Sequence, residues 1–212
     1  MNSGAIFTSI LAALLIGAMS PGPSFVLVSR ISVSMSRRNG VAAALGMGIG
    51  GAIFGFVAVL GLAAILVKIS WLYALLRIMG GLYLLYLAVR IWKGARAPLI
   101  LSIEEQKIDR RRSVAGSFGL GLTTQLSNPK TAIVYGSIFA AFLPSNPDMW
   151  VVIALPPAIL AIESAWYVIV AMVFSHPRPK QAYLRFKLWI DRLTAGVLGV
   201  LGLRLVTEGL IR

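Results

Sequence analysis

Apolar residues run through this chain in six long stretches separated by polar connections. The stretches fall near 5–29, 41–67, 73–92, 117–143, 150–174 and 193–211. A helix of about 20 apolar residues spans roughly 30 Å of hydrocarbon, so each stretch predicts a membrane-spanning helix. The first and fourth are interrupted at corresponding places. Pro21-Gly22-Pro23, flanked by Ser20 and Ser24, lies inside the first, and Ser127-Asn128-Pro129-Lys130-Thr131 lies inside the fourth. Proline lacks a backbone donor and clashes with the preceding turn, so each cluster predicts a broken helix. In a bilayer an unpaired backbone group costs several kcal/mol, and such breaks persist only where protein or water satisfies them. Matched breaks in two halves of a chain point to a transporter's binding site.

Three spans per half is an odd number, so the second half enters the membrane with the opposite orientation. Further echoes support a repeat: Gly81 and Leu87-Ala88-Val89-Arg90 in the third stretch match Gly196 and Leu201-Gly202-Leu203-Arg204 in the sixth. The predicted fold is an all-α integral membrane protein of six transmembrane helices. They form two inverted three-helix repeats, with helices 1 and 4 broken by proline. It is one transporter domain, 1–212, with repeat 1 at about 1–92, a cytoplasmic linker at about 93–115 and repeat 2 at about 116–212.

Composition agrees. Hydrophobic residues make up 58% of the 212 positions and charged residues 13%, about half the roughly 25% of a soluble domain. Disulfides and thiolate sites are excluded because there is no cysteine. The single histidine, His176, stands in the polar stretch Ser175-His176-Pro177-Arg178 and reads as a solvated loop residue. The sequence calls for no cofactor and no metal.

The formal net charge of +13 does not read as a nucleic-acid surface, because the basic residues cluster in alternate connections. The first connection holds Arg30, Arg37 and Arg38; the third holds Arg90, Lys93, Arg96, Lys107, Arg110, Arg111 and Arg112; the fifth holds Arg178, Lys180, Arg185, Lys187 and Arg192. Fifteen of the twenty Lys and Arg residues are there. The positive-inside rule places these connections in the cytoplasm and both termini outside. The N-terminus, Met1-Asn2-Ser3-Gly4, has no basic residue, and no cleaved signal is expected. The third connection, with Ile103-Glu104-Glu105-Gln106-Lys107, reads as a linker or short interfacial helix, or as a site for anionic headgroups.

Glycines four apart, Gly46 and Gly50, then Gly51 and Gly55, predict close helix packing. The same holds for Gly196, Gly199 and Gly202. Such faces pack either within one chain or outward in a homodimer.

Charged groups at membrane depth usually face a cavity or a partner. Lys130 and Glu163 fall near mid-span, with Gln125 and Asn128 close to Lys130 and, three apart, expected on one helical face. Lys130 pairs with Glu163, engages substrate or a coupling ion, or bonds the carbonyls freed by the break. Glu163 is the candidate for proton coupling, since a buried acid can take up and release a proton during transport. Arg77 lies within about a turn of its segment's outer end and is expected to snorkel to the headgroups. Arg204 and Glu208 are spaced to pair. A half-helix N-terminus offers N–H groups and a positive dipole end suited to a carboxylate. A half-helix C-terminus offers carbonyls suited to an ammonium. A zwitterion such as an amino acid satisfies both.

Met19-Ser20-Pro21-Gly22-Pro23, Leu126-Ser127-Asn128-Pro129-Lys130-Thr131-Ala132 and Leu143-Pro144 resemble the LysE/RhtB amino-acid exporters. So do Gly81-Leu82-Tyr83-Leu84-Leu85-Tyr86-Leu87 and the stretch from Gly196 to Leu205. The resemblance covers nearly the whole chain. It implies proton-driven export of amino acids or close derivatives across a bacterial inner membrane. It also implies that Pro21, Gly22, Pro23, Asn128, Pro129 and Lys130 belong to the functional centre, and that Glu163 occupies a place where relatives often carry an acid. Ser24 departs from the Asn that many relatives carry there, and Leu143-Pro144-Ser145 from their Leu-Pro-Gln. The candidate substrate and translocation residues are therefore Pro21, Gly22, Pro23, Ser24, Gln125, Asn128, Pro129 and Lys130. The partners are an amino acid, protons and the bilayer. Export of an inorganic cation would need more acids or imidazoles at depth. An intramembrane enzyme would need a His-Glu-x-x-His, an aspartate pair or a Ser–His couple, none of which the spans contain.

Overall fold

Both proline clusters separate helices in the computed structural model, which describes residues 2–68, 70–97, 113–144 and 146–210. The first apolar run forms α1 (Ser3–Met19) and α2 (Pro23–Ser34), bent by 57° at the break. Ser20 and Gly22, each preceding a proline, have ψ of 127° and −173°, because the following ring disfavours helical backbone there. The fourth run forms α5 (Val114–Leu126) and α6 (Pro129–Phe142), with Asn128 extended before Pro129. The other runs form α3 (Arg37–Lys68), α4 (Ser70–Gly94), α7 (Met149–Phe174) and α8 (Pro177–Leu210). α7 continues through Pro156 and Pro157, so proline alone does not set a break.

Among the described residues every regular element is helical. α3, α4, α7 and α8 are each long and apolar enough to cross a membrane, and α1 with α2 makes a fifth crossing if the bent pair is one span. α5 and α6, of 13 and 14 residues, are each short of the about 20 that a crossing needs. The sixth run departs from expectation. Its helix begins at Pro177, not near 193, and takes up most of the charged fifth connection. Lys187 and Asp191, which read as connection residues, lie one turn apart on α8 and pair at 2.8 Å. Lys107, Arg110, Arg111, Arg112, the stretch 103–107 and Ser145 lie outside the described residues.

α4 packs along α8, α3 along α7, and α1 and α2 meet α6 and α5. Two apolar cores result. One joins α1, α4, α6, α7 and α8 through residues such as Ile10, Leu84, Ile138 and Leu198. The other joins α2, α3 and α7 through Phe25, Met47 and Tyr167. Outside them, large apolar side chains stay exposed at helical spacing: Ile53, Phe56 and Val57 on α3, and Met79, Leu82 and Tyr86 on α4. Exposed apolar surface on that scale is what lipid covers.

Side-chain contacts gather the basic connections at one end. Asn39 Nδ2 donates to Ser113 O at 3.4 Å, joining the first to the third, and Lys187 Nζ donates to Ala95 O at 3.3 Å, joining the third to the fifth. At the other end Phe7 meets Trp150, and Ser3 bonds Asp148. Arg77 does not snorkel. It is 9% exposed, donates to Ala140 O at 3.0 Å and pairs with Glu208 at 3.1 Å. Glu208 also takes Arg204 at 2.7 Å, the expected pair. A carboxylate and a backbone carbonyl within reach hold the guanidinium where it is. His176 is exposed in the turn before α8.

The glycines divide. Gly46 and Gly55 pack against α5 and α7, inside the chain. Gly196 faces open space and so packs against nothing within the chain, and Gly199 makes only ordinary contact with Ala88. Gly81 and Gly202 press α4 onto α8 reciprocally. A Cβ on Gly202 would lie 2.7 Å from Gly81 O, and one on Gly81 2.8 Å from Gly202 O. Backbone cannot rotate aside as a side chain can. Gly202→Ala is expected to destabilise the protein by about 1–3 kcal/mol, the usual cost of overpacking, whereas Gly196→Ala should be neutral or stabilising. Thermal unfolding of both variants in detergent checks the contrast.

Candidate translocation site

The break after α1 leaves the carbonyls of its last turn without helical partners. Side chains from three other helices donate to four carbonyls here, those of Ile16, Gly17, Ala18 and Ser20. Thr194 Oγ1 of α8 donates to Ile16 O at 3.4 Å, and Trp166 Nε1 of α7 donates to Ala18 O at 3.2 Å. Lys130 Nζ of α6 donates to Gly17 O at 3.4 Å and Ser20 O at 3.2 Å. The carbonyl end expected to receive a substrate's ammonium therefore holds an ammonium of the protein. Lys130 and Glu163 do not pair, and Lys130 has no ion-pair partner among the described residues.

The half-helix N-termini differ. Gly22, the N-cap of α2, has no side chain to offer. Asn128, the N-cap of α6, accepts from Lys130 N at 3.0 Å through Oδ1. Its other amide atom starts a chain. Asn128 Nδ2 donates to Ser24 Oγ at 3.0 Å, and Ser24 Oγ donates to Gln125 Oε1 at 2.6 Å. Gln125 Nε2 donates to Glu163 Oε2 at 2.9 Å, and Tyr135 OH donates to Glu163 Oε1 at 2.7 Å. Gln125 and Asn128 are not on one helix face as expected. They flank the break and meet through Ser24.

Glu163 is 2% exposed and stands in the buried row Ile159, Glu163, Tyr167 of α7, where the two apolar cores adjoin. A carboxyl group is tolerated there because both oxygens accept from buried donors. Space for it comes from α3. A Cβ on Gly51 would collide with the Glu163 carboxylate and lie 2.9 Å from Tyr135 OH, and one on Gly50 would lie 2.7 Å from Gln125 Cβ. These glycines read as helix-packing residues in the sequence, and they also make room for the polar chain.

Two cavities adjoin here. The smaller, about 30 Å³, is lined by Ser24, Gln125, Tyr135, Glu163 and Tyr167 among others. The larger, about 400 Å³, is lined by Pro21, Pro23 and Pro129, by Tyr83 and Arg90 of α4, and by Lys187 and Asp191 of α8. Ser20, Gly22, Asn128 and Lys130 line both. All nine residues expected at the site thus border one cavity or the other. Tyr135, Trp166, Thr194 and Asp191 were not expected. Tyr167 lies one turn beyond Glu163, and that spacing was a signal for it. Asp191 was hidden by its i,i+4 spacing to Lys187, the pattern of an ordinary surface pair.

A helical membrane protein whose broken helices meet around buried polar groups, beside a cavity of this size, has the construction of a carrier for a small polar solute. The LysE type translocator family signature matches residues 15–209. The chain is 32% identical over 204 residues to the threonine efflux protein of Escherichia coli K12, covering 95% of this chain and 97% of that one. It is 33% identical over 205 residues to the threonine efflux protein of Salmonella typhimurium, with 95% and 97% covered. An uncharacterized membrane protein of Haemophilus influenzae is 30% identical over 197 residues, with 92% and 93% covered. No solved structure matches this chain. The chain belongs to the LysE type translocator family and is a multi-pass membrane protein of amino-acid export.

Proposed function

We propose that the protein exports threonine and amino acids of similar size from the bacterial cytoplasm across the inner membrane, driven by protons entering in exchange. The observation that carries this reading is the hydrogen-bond chain from Asn128 through Ser24 and Gln125 to Glu163, which joins the two breaks to a buried acid. The substrate carboxylate lies at the two half-helix N-termini, Gly22-Pro23 and Asn128-Pro129, beside Lys130, where free N–H groups and the dipoles favour an anion. Pro21 and Pro129 hold those termini apart from their preceding helices.

Glu163 carries the proton. Both its oxygens accept hydrogen bonds, so protonation would set a donor against Gln125 Nε2 or Tyr135 OH. One of those groups must then turn, and through Gln125 the change reaches Ser24 and Asn128. Proton state and substrate site are coupled by that rearrangement.

The domain, 1–212, consists of two inverted three-helix repeats, about 1–92 and 116–212, joined by a cytoplasmic linker at about 93–115. α1–α2 and α5–α6 form spans one and four. The packing of α4 on α8, α3 on α7 and the first broken pair on the second supports this arrangement, since each span meets its counterpart. The gathering of basic connections at one end supports a cytoplasmic placement for it, with both termini outside.

Growth tests the reading. Cells overproducing the protein should resist at least one member of a panel of toxic amino acids and analogues, threonine analogues first, and should accumulate less of it. Resistance to none of the panel would sink the proposal.

A further inference from the structure

The larger cavity holds a group that the export reading leaves unused. Asp191 is 3% exposed and lines this cavity together with Lys130. Its Oδ2 receives Lys187 Nζ at 2.8 Å, while its Oδ1 is buried without a hydrogen-bond partner among the described residues. Buried carboxylate oxygens are rarely left unpaired, because desolvation without compensation is costly. Lys187 does not need Asp191 alone: it also donates to Ala95 O at 3.3 Å. Oδ1 therefore looks for a cation that the protein does not supply.

A zwitterion in this cavity needs a partner for its ammonium. At the carbonyl end of α1, Gly17, Ala18 and Ser20 already accept from Lys130 and Trp166, so an ammonium there would compete with donors of the protein. The wall bearing Gly22, Pro23, Asn128 and Pro129 presents helix N-termini, which repel a cation. Tyr83, Arg90 and Lys187 supply no anion there. Asp191 remains.

We infer that Asp191 is the ammonium-binding residue of the cavity, capturing the α-amino group of an amino acid whose carboxylate faces Lys130 and the two half-helix N-termini. This deepens the export reading and rests on it. Oδ1 has almost no exposed surface, so binding an ammonium requires the Asp191 side chain to turn toward the cavity that it lines. Lys187 pairs with the other oxygen of the carboxylate and lines the same cavity. The pairing of charges sets specificity: solutes lacking the amino group, though they fit the space, leave Asp191 unpaired.

The test uses everted membrane vesicles containing the full chain, with uptake measured for each of the common L-amino acids. For the amino acid taken up fastest, L-threonine being the first tried, competition is compared with the same acid lacking its α-amino group (3-hydroxybutyrate for threonine). In the unaltered protein the amino acid should compete about 10–100-fold better, the ratio that one charge-assisted hydrogen bond corresponds to. Asp191→Asn should abolish that advantage. Lys187→Gln, which breaks the same ion pair but keeps the carboxylate, should retain it. An advantage that survives in Asp191→Asn overturns the assignment, and so does its loss in Lys187→Gln, which would make Asp191 only the anchor of an ion pair. Should Asp191→Asn fail to reach the membrane, Asp191→Glu replaces it, and loss of the advantage there overturns the assignment while retention supports it. Uptake of no amino acid by the unaltered protein is failure of the export reading itself, and the Asp191 assignment falls with it.

Discussion

Glu163→Gln is expected to abolish proton-driven export while leaving substrate exchange across the membrane measurable. Glutamine occupies nearly the same volume in the row Ile159, Glu163, Tyr167 and keeps an oxygen for one of the two donors, Gln125 Nε2 or Tyr135 OH. What it cannot do is gain and lose a proton. A carrier whose uphill step depends on that proton then stalls in net transport, yet still reorients with substrate bound on both sides. In proteoliposomes, uptake driven by an imposed proton gradient should fall to the level of empty liposomes, while exchange of labelled for unlabelled substrate persists. Gradient-driven uptake at the unaltered rate would remove Glu163 from the coupling role. Loss of exchange as well would mean that Glu163 is needed to build the site instead.

Lys130→Ala should have an effect of similar size by another route. The ammonium donates to Gly17 O and Ser20 O across the first break. Hydrogen bonds to charged groups each contribute about 1.5–3 kcal/mol, so losing two corresponds to roughly 100-fold or more in whatever equilibrium they favour. Removing the side chain also strips positive charge from the wall shared by both cavities. Export should fall below detection, and the purified protein should unfold at a lower temperature. Lys130→Arg separates the two contributions. A planar guanidinium keeps the charge but changes the donor geometry, so partial export with restored thermal stability is the expected outcome. Full export by Lys130→Ala would exclude Lys130 from both roles.

Several parts of this site were legible in one dimension because each rests on a local rule. Proline followed by proline after one residue, as in Pro21-Gly22-Pro23, favours extended backbone at the two residues that precede them, Ser20 and Gly22. Asn128-Pro129 interrupts the fourth run by the same rule. Glu163 stands out because an acid within 26 residues of apolar helix has few structural excuses. Pro156 and Pro157 show the limit of such rules. They lie in a similarly apolar run, yet α7 passes through them unbroken. Neighbouring helices decide which freed backbone groups are satisfied in place.

Other residues were illegible because their role depends on distant partners. Arg77 sits near a helix end and follows the pattern of a snorkelling residue, but Glu208, 131 positions away, captures it. Gly51 carries the marks of helix packing, and only the arrival of α7 shows that the missing side chain makes room for Glu163. Asp191 resembles a routine i,i+4 partner of Lys187 until α8 is laid beside the α1 break.

Hydropathy, proline placement and the alternation of basic connections were enough, by themselves, to determine a helical membrane protein with two broken runs and a buried acid. Each of those follows from a chain segment meeting lipid or water, which needs no knowledge of its neighbours. Only the tertiary structure decided what the breaks hold. It placed Lys130, and not a free carbonyl, at the end of α1. It ran a single hydrogen-bond chain from Asn128 to Glu163, and it brought Asp191 to the cavity wall. The physical reason is that buried polar groups must find partners wherever packing delivers them, and packing joins residues that are more than a hundred positions apart.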